Sequence, residues 1–148
     1  MEKNKLETLS HYAVIVIALL AFILSILQTR IQHDHNKLSV RPILNSIIEQ
    51  GDSLSLAYIN NKGVGPAIIK KVSFTYQGKT YNDIEKLLRE SGLYKIRMGG
   101  YTLHPNTVIS ANEERLLVKL KGRELKGVKV QLFYESVYEE VYDITFTF

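Results

Sequence analysis

Five cations, Lys119, Lys121, Arg123, Lys126 and Lys129, fall close together in the chain, with Glu124 the one acid among them. Lys119 and Lys121 alternate with Val118 and Leu120, and Lys129 with Val128 and Val130. This pattern places the three lysines on the solvent faces of two neighbouring strands, where they can meet lipid phosphates, RNA or an anionic nucleotide. The plain alternative is a solvated strand face that resists aggregation. A second candidate is the loop Asn60-Asn61-Lys62-Gly63-Val64-Gly65-Pro66-Ala67. Its two glycines allow positive φ and Pro66 stiffens the exit. Amides around such glycines can form an anion-binding nest, or the loop is a tight strand connection. The candidate ligand set is therefore Lys62, Gly63, Gly65, Lys119, Lys121 and Lys129. His33-Asp34-His35 has metal-ligand residue types. On a helix, however, i and i+2 lie ~200° apart and cannot share one ion, so these residues read as a polar stalk.

Two short motifs suggest enzymes and fail on context. Gly51-Asp52-Ser53-Leu54 spells the nucleophile motif of the GDSL hydrolases, which also need a D-x-x-H pair that this chain lacks. Gly and Asp there suit a turn between two alternating runs. Gly78-Lys79-Thr80 matches the end of a phosphate-binding loop, but Ser73 stands where that motif needs glycine. A hairpin turn is the better reading. The chain has no Cys, which removes disulfides, thiolate catalysis and thiolate zinc sites. His104 stands alone, and no carboxylate pair or Ser/His/Asp spacing rises above chance. The expectation is a protein that is not an enzyme and needs no metal or cofactor.

The 148 residues suit one compact domain plus an appendage. With 45% apolar and 23% charged residues the chain folds. The net charge of +4 is mild, and DNA is not an expected partner. The appendage is the run from Tyr12 to Leu27, in which Ser25 is the one polar member. At ~1.5 Å per residue it covers ~24 Å, and Leu9 to Thr29 covers ~31 Å, about one hydrocarbon core. It is apolar on every side, unlike a core helix. Its start is long and mixed in charge, unlike a cleaved signal. The reading is a flank over 1–11, a transmembrane helix over 12–29 and a stalk over 30–40, with Tyr12, Leu20, Phe22 and Leu27 in the anchor. Lys3, Lys5 and the α-amino group flank one end and Arg30, Lys37 and Arg41 the other, nearly a tie, with a slight lean of the C-terminal domain to the cytoplasm. Leu20, Leu24, Leu27, Ile31 and Leu38 follow a 3-4 spacing, and Ala18, Ala21 and Ser25 add small residues, so a homo-oligomer is expected.

Residues 41–148 read as a β-rich domain. Period-2 alternation recurs over 54–59, 68–76, 115–121, 128–135 and 142–148, separated by Gly, Asn and Asp turns. It predicts an antiparallel β-sandwich or small barrel. Ile68, Val72, Phe74 and Tyr76 share one face, and Phe146 is expected buried in the last strand. Asn82 to Glu90, with Asn82 as cap, predicts one short inserted helix. Residues 94–106 have no clear pattern.

Two stretches then stand out as a pair. His35-Asn36-Lys37-Leu38-Ser39-Val40-Arg41-Pro42 follows the apolar run, and Asn61-Lys62-Gly63-Val64-Gly65-Pro66-Ala67 comes soon after it. This resembles a group of short bacterial single-pass membrane proteins with an HN-x-LSVRP stretch, an N-x-G-x-G-P-A loop and a C-terminal β-sandwich. Tyr134-Glu135-Ser136-Val137-Tyr138 is similar to their closing hairpin, with Glu139-Glu140 where the group has a glycine turn. The resemblance implies a bacterial inner-membrane protein. Small membrane proteins of this plan serve as effectors in antiviral-defence operons. The expected function is a sensor of a signal, for which an anionic nucleotide is one candidate, acting through the membrane helix; the alternative is a membrane-tethered scaffold or adaptor that binds a partner protein.

Overall fold

The computed structural model describes residues 2–122 and 126–148, with side chains from residue 9 on. Arg123 and Glu124 of the basic run lie outside the described residues, as do the side chains of Lys3 and Lys5. The chain divides into two units, residues 1–38 and 39–148.

The first unit is helix α1, Glu2–Ser39, whose 38 residues run ~57 Å. Flank, apolar run and stalk form one uninterrupted helix. Ser25 O accepts from Thr29 Oγ1, and Gln32 Nε2 donates to Asn36 Oδ1 four residues on. Arg41 precedes Pro42, and the residue before proline avoids helical backbone. The span Leu9–Ser39 is long and apolar enough to cross a membrane.

The second unit is a sandwich of two antiparallel sheets, without a closed barrel. The strands are β1 Leu44–Gln50, β2 Leu54–Asn61, β3 Ala67–Tyr76, β4 Lys79–Tyr81, β5 Arg97–Gly99, β6 Val108–Ile109, β7 Glu114–Lys121, β8 Lys129–Glu135 and β9 Val141–Thr147. One sheet has the order β1-β2-β7-β5 and the other β4-β3-β8-β9, with β6 added to β3. Between them Ile59, Ile69, Phe74, Leu120, Val130 and Leu132 form an apolar core. Helix α2, Ile84–Glu90, adds Ile84, Leu87 and Leu88 to it. Its cap is Asp83, whose side chain accepts from Glu85 N at 2.8 Å, and not Asn82. A 3-10 turn, Leu93–Ile96, and β5 occupy the stretch that the sequence leaves without pattern.

Two bulges change the alternation read from sequence. In β3 the register against β8 shifts between Ile69 and Lys71. Ala67 and Ile69 therefore face inward before it, and Val72 and Phe74 after it, while Ile68 is only half-buried. In β7 the register against β2 skips Leu117, so Leu117 and Val118 are both buried. Phe146 lies on the expected face of β9 but is half-buried, because β9 is an edge strand; Phe148 beyond it is buried. The hairpin before β9 holds Glu139 at φ 61, a left-handed backbone that suits glycine.

The side chain of Asn61 closes one end of the sandwich. It is fully buried. Its Oδ1 accepts from Ile43 N at 3.1 Å and Gly63 N at 3.0 Å. Its Nδ2 donates to Gly65 O at 2.7 Å and Ile109 O at 3.1 Å. All four bonds that an amide side chain can make are used. Residues 40–43 run directly under the loop. A Cβ on Gly65 would sit 1.7 Å from Val40 O, and one on Gly63 2.4 Å from Arg41 O. The paired stretches of the sequence are thus two halves of one closure.

Asn61→Ala strands two buried donors and two buried acceptors at ~1–3 kcal/mol each, partly relieved by relaxation. We expect a loss of about 3–5 kcal/mol, near the whole stability of a small domain. Thermal unfolding of the full chain in detergent measures it; a shift of under about 1 kcal/mol contradicts the closure.

Candidate interaction face

The tight closure fixes which face of β2 enters the core. Asn61 is inside, so by period 2 Ser55, Ala57 and Ile59 are inside as well, all fully buried. Ser55 Oγ donates to Gly122 O at 2.5 Å. The larger set, Leu54, Leu56 and Tyr58, is half-exposed on the outer face. Opposed residues of an antiparallel pair share a face, which assembles the surface in rows. Ile47, Tyr58 and Leu116 form one row; Glu49, Leu56 and Lys119 form the next; Leu54 stands opposite Lys121.

Beside the apolar rows is an open depression of about 550 Å³, lined by Tyr58, Tyr101, Glu113, Glu114, Arg115 and Leu116. Tyr101 is held there by its backbone, N to Leu116 O at 3.0 Å, and its side chain is 67% exposed. Gly100 makes this approach feasible: at φ 136 it packs on the β7 bulge, where a Cβ would lie 2.3 Å from Leu117 O. Glu113 accepts from Ser110 N at 2.7 Å and from Arg115 Nε at 2.7 Å. The Ser110 N–H, and after it Arg115, holds the Glu113 carboxyl below its ordinary range. Asn60 Oδ1, in the row with Asn45 and Glu114, is buried and accepts no hydrogen bond among the described residues. The face is therefore apolar in the middle, with Glu114 and the Glu113–Arg115 ion pair at one end and Lys119 and Lys121, beside Glu49, at the other.

The ligand set expected from sequence does not converge. Strands β7 and β8 belong to different sheets and are not neighbours. Lys119 alternates with buried Val118 and Leu120, and Lys129 with buried Val128 and Val130. Lys119 and Lys121 therefore project from the outer face of one sheet, and Lys129 from the outer face of the other, beside Thr75 and Thr147. Gly63 and Gly65 are buried, and their amides are turned inward: Gly63 N donates to Asn61 Oδ1, and Gly65 N points to Arg41 O at 3.5 Å. Only Lys62 of that loop set is exposed.

The enzyme-like motifs fall in turns. Gly51 N donates to Leu54 O at 2.8 Å across the β1–β2 turn that contains Ser53. Gln77 and Gly78 turn the β3–β4 hairpin with φ of 49 and 79. His33 and His35 are both on α1. Among the described residues no three His, Asp or Glu side chains gather in a metal-binding group.

The apolar face has no plain signal in the sequence. Leu54-Ser55-Leu56-Ala57-Tyr58-Ile59 alternates either way, and size alone argues for the wrong face. The usable signal is Asn61, two residues beyond Ile59 and inside a glycine loop. Compared with known proteins, no family model and no curated protein matches the chain.

The Glu113 carboxylate contributes stability that is present above its ordinary pKa of about 4.3 and lost as pH falls through its lowered folded value. Glu113→Gln lacks that contribution. The gap in melting temperature between wild type and Glu113→Gln should narrow as pH drops from 6 toward ~3; a gap independent of pH contradicts the lowered Glu113 pKa.

Proposed function

We propose that the chain is a single-pass membrane protein, not an enzyme, and acts as a tethered adaptor that docks a partner protein on the outer face of the β1-β2-β7-β5 sheet. Helix α1 supports the tether: Leu9–Ser39 has the length and composition to span a bilayer. Tyr12, Leu20, Phe22 and Leu27 are the anchor residues in contact with lipid. The resemblance to bacterial single-pass proteins supports the cytoplasmic membrane as the location, and the positive-inside count supports a cytoplasmic sandwich.

One observation carries the docking reading. Folding buries the small side chains of β2 fully and leaves Ile47, Leu54, Leu56, Tyr58 and Leu116 half-buried together on the outer face. Apolar rows on one sheet face mark an interaction surface. The length of β2 at ~3.3 Å per residue, by four strands at ~4.8 Å, makes roughly 500 Å², the scale of a small, reversible interface. Its pattern suits a protein segment with apolar side chains at the centre, a cation toward Glu114 and an acid toward Lys119 and Lys121. Lys119 and Lys129 project from opposite sides of the sandwich, so one small anion meets only one of them, and this favours the adaptor over the sensor reading.

A photo-crosslinking residue at position 56 of the full chain, in native membranes, tests this. We expect one product of discrete mass that is not a multiple of the chain's own mass. It should be absent with the crosslinker at position 145 on the other sheet, and lost on combining Lys119→Glu with Lys121→Glu. Equal products from both positions, or a product at twice the chain's mass, contradict the adaptor reading.

A further inference from the structure

Past Leu27, helix α1 continues to Ser39, and only Ile31 and Leu38 in this stretch are large and apolar. Both are strongly exposed in a single copy, 69% and 65%. They lie seven residues apart, and the same interval carries back to Leu24 and Ile17 inside the apolar run. The positions between them, Ala13, Leu20, Leu27 and Asp34, complete a 4-3 repeat. Seven of these eight residues are apolar, along a line that passes from the apolar run into the polar stalk without a break. A short polar helix on its own is marginal in water, yet this one is continuous to Ser39.

We infer that α1 pairs in parallel with a second copy of itself along Ile17, Leu20, Leu24, Leu27, Ile31 and Leu38. The inference rests on the membrane reading of α1, because copies inserted the same way meet in parallel. A strict seven-residue interval keeps its stripe facing a partner only if the two helices supercoil left-handedly. The occupant is a second copy because the stripe is in register with itself at every turn. Covering Ile31 and Leu38 also removes the two large apolar residues that the stalk otherwise leaves in water. Asp34 is the one polar member of the seam. A lone polar residue at such a position fixes register and lowers the strength of the pairing. His33 and Asn36 stand outside the repeat, which gives the histidine a solvated place.

The chain contains no Cys, so single-cysteine variants report without background. Full-length Ile31→Cys, Leu38→Cys, Thr29→Cys and Asn36→Cys are oxidised in native membranes. Carbonate extraction of the same membranes reports anchoring separately. We expect disulfide-linked dimers from positions 31 and 38 and background from 29 and 36. Adding Asp34→Leu to Ile31→Cys should raise the dimer yield. Equal yields at all four positions, dimers from 29 and 36 only, no dimer at any position, or a fall with Asp34→Leu overturns the inference.

Discussion

The four hydrogen bonds of the Asn61 side chain are the constraint from which the rest of the sandwich follows. They join the entry to β1 (Ile43), the glycine loop (Gly63, Gly65) and β6 (Ile109) at one buried amide. Gly63 and Gly65 are required there because backbone 40–43 occupies the space a Cβ would take. Backbone bonds extend the closure, with Asn61 N donating to Glu113 O and Asn112 N to Asn61 O. The position of the Glu113–Arg115 pair, and so of the depression beside Tyr58 and Tyr101, descends from the same residue. An apolar side chain of similar size would leave this set of amides and carbonyls buried and unmatched.

Much of the architecture is legible in residue order. The apolar run and the alternating strands need only period and length, and both are found close to where pattern places them. Bulges are not legible: nothing in Ile69-Lys70-Lys71 or Leu116-Leu117-Val118 announces the extra residue that turns Ile68 outward and Leu117 inward. Strand neighbours are not legible either. Two alternating runs close in the chain read as neighbouring strands, and membership of different sheets carries no separate signature. This is why Lys119 and Lys129 read as one cluster and stand on opposite outer faces. The face of β2 is ambiguous by composition, because core formation here selects the polar anchor Asn61 over the larger side chains.

Adaptor and paired helix fit a single physical scheme. An anchor confines the sandwich to a surface, which raises the effective concentration of a weak docking face. Pairing through α1 would double that face without any change in the sandwich itself. The proposed docking surface is small and carries charge at both ends, which suits reversible contact with orientation set by Glu114, Lys119 and Lys121.

The central claim is that the Asn61 closure turns the small side of β2 inward and Leu54, Leu56 and Tyr58 outward. Thiol labelling of the cysteine-free chain tests it most directly. Ser55→Cys and Leu56→Cys differ by one position and by opposite faces. In the folded full-length protein Leu56→Cys should react with a water-soluble maleimide at near the rate of an exposed thiol, and Ser55→Cys should react only after unfolding. Rapid labelling of Ser55→Cys with protection of Leu56→Cys would contradict the account.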